Sequence, residues 1–453
     1  MFERRHSSDF IASIFLILAL LSPGVFSQSK EKPKLKDFGS SLKKIKWDPN
    51  QNSAVETKTN SKAKGKPNND DVVRVETLLV QNDLLVLDPR GQPVQGLSAA
   101  DFLISEDGQP QTVATVSPAD TAKVPRSIVL IVDYSCLQLP FVRASMMAAK
   151  TLVDKLQPTD RMAIVTDDVE LLIDFTTDKR KLKDKLNEVA ARTSTRPVLP
   201  SLARAYPNGN LRRPFGRGLQ YSALMSVLKE AFNAEDERPV IIFQTDGGEA
   251  AFLRNAKIFD TVPPGLPPDI QADIEWRLEQ RRKYLEKNPR EFSLNDVYKA
   301  AEMSRATIYS VVPSLRFIGL KPEDRAPQMR AYLRRNIAGF ESAGAGKHAV
   351  RYLAEATDET FDSDADNLAK LQSAMAVLST ITGGWIEFFD QPTQADEIYS
   401  RILADMNRRY VVSYYPKNKE HDGKRRKISI SVRDHPEYLV MGHKGYYAPA
   451  PDQ

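Results

Sequence analysis

Two short apolar runs constrain this chain more than any other feature. Ser127 to Leu137, SIVLIVDYSCL, is dominated by Ile, Val and Leu until it reaches Asp133. An unbroken apolar run of this length reads as a strand buried on both faces, the pattern of a parallel sheet. Pro239 to Glu249, PVIIFQTDGGE, repeats the arrangement and ends in Thr245, Asp246 and two glycines. Acidic and hydroxyl residues at the carboxyl ends of buried strands sit where open α/β sheets bind ligands. With the two strands side by side, Asp133 and Asp246 would face one crevice. The hydroxyl of Ser135 would join them, a hard-oxygen set suited to Mg²⁺ or Mn²⁺.

The surrounding pattern alternates strand and helix. Strands are expected at 161–166, 169–175, 306–312 and 385–389, and helices at 141–156, 178–191, 219–234, 368–381 and 393–406. This order predicts an α/β fold with a doubly wound, mostly parallel sheet. Two stretches, 252–305 and 315–366, exceed what such a sheet needs and are expected as insertions. The segments on either side are β in character. In 71–125, a turn at Asp88 to Val94 and an Asp107-Gly108 turn separate strand-like runs, one of them Val72 to Val80. In 408–449, RRYVVSYYP and RKISISVRD flank a turn at Asp422-Gly423. Neither segment has enough strands for a sheet with its own core. They are expected to pair into one small accessory β domain, with the α/β domain of 126–407 inserted between them.

These residues resemble a von Willebrand factor type A domain. Asp133-Tyr134-Ser135 after the first strand and Thr245-Asp246-Gly247 after a later one are similar to that family's metal-ion-dependent adhesion site. The family's first segment is Asp-x-Ser-x-Ser, and here Leu137 stands at the second serine. Its loop threonine aligns with Gly218 in Gly216-Arg217-Gly218-Leu219-Gln220-Tyr221. The flanks, GLSAADF with EDGQPQ and RYVVSYYP with KGYYAP, resemble the bacterial VWFA-related proteins. The resemblance implies a protein-binding module whose metal ligands would be Asp133, Ser135 and Asp246, in a site reduced from the family's five positions.

The first 27 residues have the form of an export signal: Arg4 and Arg5, an apolar run from Phe10 to Leu21, Pro23, then Val25-Phe26-Ser27. The expected product is exported, secreted, periplasmic or held in the cell envelope, with membrane contact only through an uncleaved signal. Residues 28–70 are rich in Lys, Asn, Ser and Pro and read as a disordered basic linker. The single cysteine, Cys136, leaves no disulfide within the chain.

A net charge of +5, with much of the excess in the first seventy residues, gives no reason to expect nucleic-acid binding. The five histidines form no recognisable pair, and no Gly-rich phosphate loop or G-x-S-x-G elbow is present. Three functions stay open. The first is an adhesion-type module for a protein partner. The second is a scaffold that binds no metal and acts through its β domain and insertions. The third, least supported by the residues, is a metal-dependent hydrolase; the expectation is that the chain is not an enzyme.

Overall fold

A computed structural model describes residues 45–48, 53–56, 79–118, 125–134, 138–192, 219–232, 237–254, 292–342 and 356–450, with scattered positions between 268 and 286 and at 350, 353 and 354. The expected export signal lies outside the described residues. So do most of the linker, Ser135, Cys136 and Leu137, the loop 193–218 with Gly216 to Gly218, and much of the 252–305 insertion.

The centre is a six-stranded sheet. Its strands are β7 (Arg126–Val132), β8 (Arg161–Thr166), β9 (Leu171–Thr176), β10 (Arg238–Gln244), β11 (Thr307–Val312) and β12 (Ile386–Phe388). Their order is β12-β11-β10-β7-β8-β9. All neighbours are parallel except β9, which runs antiparallel to β8 at one edge. β7, β10 and β11 are buried along their whole length, which is why their sequences are near-continuous apolar runs.

Helices cover both faces. On one lie α1 (Leu139–Asp154), α2 (Lys179–Ala190), α5 (Pro322–Ser342) and α7 (Ala395–Arg408), packed over Ile128, Leu130, Val132, Val240 and Ile242. On the other lie α3 (Gln220–Glu230) and α4 (Leu294–Ser304), packed over Val129, Ile131, Ile241 and Phe243. α6 (Asp358–Ile381) serves both. Phe361 and Ala365 enter the first core, and Leu371, Met375 and Leu378 enter the second. Among the described residues no helix is long and apolar enough to cross a membrane.

The 315–366 stretch corrects an expectation. It is not surplus to the sheet: α5 buries Ala326, Met329, Leu333 and Phe340 in the first core. Those positions recur every three to seven residues on one helix face. The arginines and other polar residues between them broke up the apolar pattern in the sequence.

The accessory β domain interleaves the two flanks. β3 (Val80–Leu87), β4 (Phe102–Glu106), β5 (Gln109–Gln111) and β6 (Val113–Pro118) precede the α/β unit. β13 (Tyr410–Tyr414), β14 (Arg425–Val432), β15 (Leu439–Met441) and β16 (Gly445–Tyr447) follow it. They form sheets ordered β15-β3-β13-β6 and β16-β14-β4-β5, so each sheet mixes both flanks. The shared core includes Leu84, Val86, Phe102, Ile104, Tyr410, Val412, Tyr414, Ile428 and Val432. The first described strand here is Val80–Leu87; of the expected Val72–Val80 run, residues 72–78 lie outside the described set. Within the stretch read as linker, β1 (Ile45–Asp48) and β2 (Ser53–Glu56) form an antiparallel hairpin. That part is therefore not the structureless spacer its composition suggests. A Pro-Asn-Gln-Asn sequence, all turn-tolerant residues but one, separates the two strands.

The β domain meets the amino-terminal ends of the sheet strands. Arg409, 2% exposed in its side chain, donates to Asp405 (2.9 Å), to the Tyr309 hydroxyl (3.1 Å), and to the carbonyls of Asp83 (3.1 Å) and Gly383 (2.6 Å). Arg238 pairs with Asp83 at 2.9 Å, and Arg425 pairs with Glu302. Gly383 (φ +75°) lies against Gly442 so closely that a Cβ would stand 2.4 Å from the Gly442 Cα, so only glycine fits.

Candidate functional site

The site lies at the opposite, carboxyl-terminal edge of the sheet. Val132 is in register with Gln244, so β7 and β10 end together. The Asp133 N–H donates to the Gln244 carbonyl (3.0 Å), the Thr245 N–H to Val311 (3.0 Å) and the Asp167 N–H to Val132 (2.9 Å). Four adjacent strands thus release their chains at one level, and the acidic residues follow at once.

Asp133 is 1% exposed. Its Oδ2 accepts from the Thr245 hydroxyl (2.8 Å) and from the Gln220 amide (3.0 Å). The same Gln220 accepts from the Glu249 N–H (3.0 Å). Glu249, fully buried, accepts in turn from the N–H (2.8 Å) and hydroxyl of Ser222. The start of α3 is thereby tied to the Thr245–Glu249 turn. That turn depends on Gly247, with φ +71°; a Cβ there would stand 2.7 Å from the Met375 sulfur. The Gly247 N–H donates to Thr245 Oγ1 (3.0 Å).

Asp246 is half-buried. Its Oδ1 accepts from the Gly248 N–H (2.8 Å), and its Oδ2 from Gln138 Nε2 (3.4 Å). Gln138 precedes α1 and is 3% exposed; its Oε1 is buried and has no hydrogen-bond partner. α5 flanks this corner. Its Gly339 passes over Pro140 at the start of α1, where a Cβ would lie 3.0 Å from the proline Cβ. Burial, then the negative charges of Asp390 and Asp246, hold the Tyr332 hydroxyl of α5 well above its ordinary pKa.

β8 supplies a second acidic pair. The Tyr134 N–H donates to Asp167 Oδ1 (3.3 Å), and the Tyr134 hydroxyl and the Thr166 hydroxyl both donate to Asp168. Burial, then the Asp168 charge, push the Tyr134 hydroxyl far above its usual range. The Arg192 guanidinium lies 4.7 Å from the centre of the Tyr134 ring. The turn that positions these aspartates holds Val169 at φ +62°, a costly conformation for a β-branched residue, with its side chain fully buried in the second core.

Of the three expected ligands, Asp133 and Asp246 lie on neighbouring strand ends, and Ser135 lies outside the described residues. The register sets Asp133 level with Thr245, and the threonine hydroxyl meets the Asp133 carboxylate. The described donor set fits Mg²⁺ or Mn²⁺ poorly. A hard cation needs converging oxygen acceptors, whereas two amide groups and a hydroxyl aim their hydrogens at the carboxylates. Among the described residues no group of three His, Cys, Asp or Glu could hold a metal ion.

Sequence reasoning missed Gln220, Gln138, Glu249 and the Asp167–Asp168 pair as members of the site. Gln220 was within sight. It lies two residues beyond Gly218, and its side chain reaches Asp133. Gln138 and Glu249 gave no signal, because an isolated polar residue beside a helix start reads as a surface residue.

No family model and no curated protein matches this chain. Solved structures give weak similarities. A conserved hypothetical protein BatB from Bacteroides thetaiotaomicron is 15% identical with a TM-score of 0.24, over 41% of this chain and 66% of that one, just under two thirds of its length. An aerotolerance-related membrane protein from Bacteroides fragilis is 11% identical with a TM-score of 0.28, over 63% and 98%. The vWF domain of the type V pili tip protein Mfa5 from Porphyromonas gingivalis is 12% identical with a TM-score of 0.28, over 63% and 96%. Similarities at this level carry no argument about chemistry. What stands on the chain's own strand order is a mixed α/β fold, with a six-stranded, mostly parallel sheet between helices.

Proposed function

We propose that this chain is an exported module of von Willebrand factor A type, and not an enzyme, that binds a protein partner through the crevice at the carboxyl edge of its sheet without a metal ion. One observation carries the reading: strand ends of β7, β8 and β10 gather Asp133, Asp167, Asp168 and Asp246 at one edge of the sheet, where doubly wound sheets bind ligands. Export is supported by the amino-terminal sequence alone. Amide and hydroxyl hydrogens already directed at Asp133 and Asp246 support the metal-free form. The second reading, a scaffold acting through its β domain, draws support from the charged join that fixes that domain to the sheet. The test is capture of partners from cell-envelope extract by the full chain and by Asp246→Arg. Loss of a specific partner in the variant is expected; undiminished capture would overturn the crevice reading in favour of the scaffold.

A further inference from the structure

One end of the β domain stands apart from the crevice and is rimmed by exposed side chains. Both crossings into the α/β unit, after Pro118 and before Tyr410, leave from one end of the β6–β13 ladder, where those two residues are paired. At the other end Tyr414 pairs with Val80 and Val113. Leu79 and Tyr415, the next residues outward, are 43% and 53% exposed. The loop from β13 to β14 follows at once. Its Lys417, Lys419 and Lys424 are exposed, as is Lys427 on β14. The Lys417 N–H donates to Gln111 (3.0 Å) and the Gly423 N–H to the Pro449 carbonyl (3.0 Å), which holds the loop against the strands. Most acids here are engaged within the domain. Asp422 accepts from Arg426 (3.0 Å) and pairs with Lys424 at 3.2 Å. Glu106 is buried and takes the Tyr414 hydroxyl (2.8 Å), and Asp107 accepts from the Lys427 N–H (2.8 Å). Glu420 alone of these is fully outward. The end thus presents a leucine and a tyrosine among lysines.

We propose that this end of the β domain docks on a bilayer of anionic phospholipid. Charge is the first reason: a lysine near an anionic bilayer surface is worth about 1 kcal/mol. The apolar rim is the second. Tyrosine settles at the headgroup level, with its ring out of water and its hydroxyl wet. A free polyanion would meet the lysines and leave Leu79 and Tyr415 in water, whereas a bilayer takes both. The third reason is where the chain enters. Leu79 leads back to residues 28–70, whose sequence holds eleven lysines against five acids, and then to the apolar run Phe10 to Leu21. Single membrane signals hold a protein marginally, and two acting together hold it firmly. Because the β domain meets the amino-terminal edge of the sheet, docking at its far end leaves the carboxyl-terminal crevice turned away from the lipid. The proposal goes beyond the crevice reading and does not depend on it.

The test uses the full chain with phosphatidylglycerol vesicles, phosphatidylcholine vesicles and soluble polyphosphate. A brief pulse of acetylating reagent, read by mass spectrometry, reports each lysine separately. Phosphatidylglycerol is expected to slow acetylation of Lys417, Lys419 and Lys424 about fivefold or more, and to leave Lys321, beyond the carboxyl end of β11, reacting as before. Phosphatidylcholine should protect none of them. In co-sedimentation, the triple variant Tyr415→Ser, Lys417→Glu, Lys419→Glu should bind phosphatidylglycerol about tenfold more weakly or less, and Lys321→Glu should bind as the parent does. Thermal melting checks that the variants fold. Four results would overturn the proposal: no binding to phosphatidylglycerol; binding with Lys417 and Lys419 unprotected, which leaves the leader as the whole contact; undiminished binding by the folded triple variant; or polyphosphate protecting the three lysines as well as vesicles do, which makes the end a site for free polyanions. Each of these leaves the proposed function standing, since partner capture is read through Asp246→Arg at the opposite edge.

Discussion

The two edges of the central sheet handle buried charge in opposite ways. At the amino-terminal edge, Arg409, Arg238 and Arg425 each meet a carboxylate of the same chain; the Arg238 and Arg425 pairs lie across the join with the β domain, and Arg409 crosses it to the Asp83 carbonyl. At the carboxyl-terminal edge, Asp133 and Asp246 accept hydrogen bonds from neutral groups, among them Thr245, Gln220, Gln138 and a backbone N–H. Opposite charges cancel, and a cancelled pair is a structural fastening whose breakage strands a charge. Dipoles only solvate a charge. The lesson is that the first edge fastens two parts of the chain by paired charge, whereas the second holds its carboxylates in place with oriented neutral dipoles.

Breaking the fastened edge should cost most. Arg409→Met removes the guanidinium and leaves the buried Asp405 charge with the Trp385 N–H but no cation, so denaturant unfolding should show a loss of about 3–5 kcal/mol. The same variant should leave partner binding at the far edge within about twofold, because well-separated sites act independently. If that binding collapsed as well, the contrast between the edges would fail.

Acid gives the next effect, again at the fastened edge. His443 is buried there, its N–H bonded to Asn82 Oδ1 (2.9 Å). Burial is the main cause that lowers its pKa from 6.5 to about 4; Asp83 pulls the other way, and Arg409 adds to the lowering. Between those values the unfolded chain binds the proton and the folded chain does not. The stabilisation is therefore complete above about pH 6.5 and is lost as the pH falls through about 4, by about 3 kcal/mol at most. Melting curves from pH 7.5 to 4 should show this slope, and His443→Asn should flatten it.

At the open edge the expected changes are smaller. Thr245→Val removes the donor to Asp133 and the acceptor for the Gly247 N–H, at a cost of about 1–3 kcal/mol by denaturant titration. Gln220→Leu should cost a similar amount, and the double variant should cost less than the two together, since both serve one oxygen. The smallest effect is no effect. Mg²⁺ at about 10 mM should leave the melting temperature where an equal ionic strength of Na⁺ leaves it, because only a ligand bound to the folded state raises it. A clear rise would restore the metal site.

The sheet was legible because its central strands are buried on both faces and carry no competing pattern. The sequence reading of 161–166 and the strand of the structure coincide at Arg161–Thr166. Helix α5 was not legible, since its Arg and Asn residues interrupt the apolar stripe that packs Met329, Leu333 and Phe340. Asp133 and Asp246 were legible as acids at strand tips. Their neighbours were not, because Gln220 and Gln138 arrive from helix starts, and only three-dimensional register brings those to the sheet edge. That Thr245 stands opposite Asp133 is a matter of single-residue register, below what an apolar pattern can fix.

The interleaving of the two flanks bears on how the chain is made. β13 is hydrogen-bonded to both β3 and β6, and Asn82 exchanges hydrogen bonds with His443 across 361 residues. The leader strands leave the ribosome before the tail, yet in one finished sheet β3 and β6 are held apart by β13, and in the other β4 needs β14 on its free side. They must wait, with open edges, until the tail strands have been synthesised. Closing so long a loop is slow in an unfolded chain. An inserted α/β unit that folds first shortens the gap, since it brings Arg126 and Arg409 to the same end of its sheet. The insertion thus makes one domain the folding template for the other. Destabilising the sheet should delay assembly of the β domain more than the reverse.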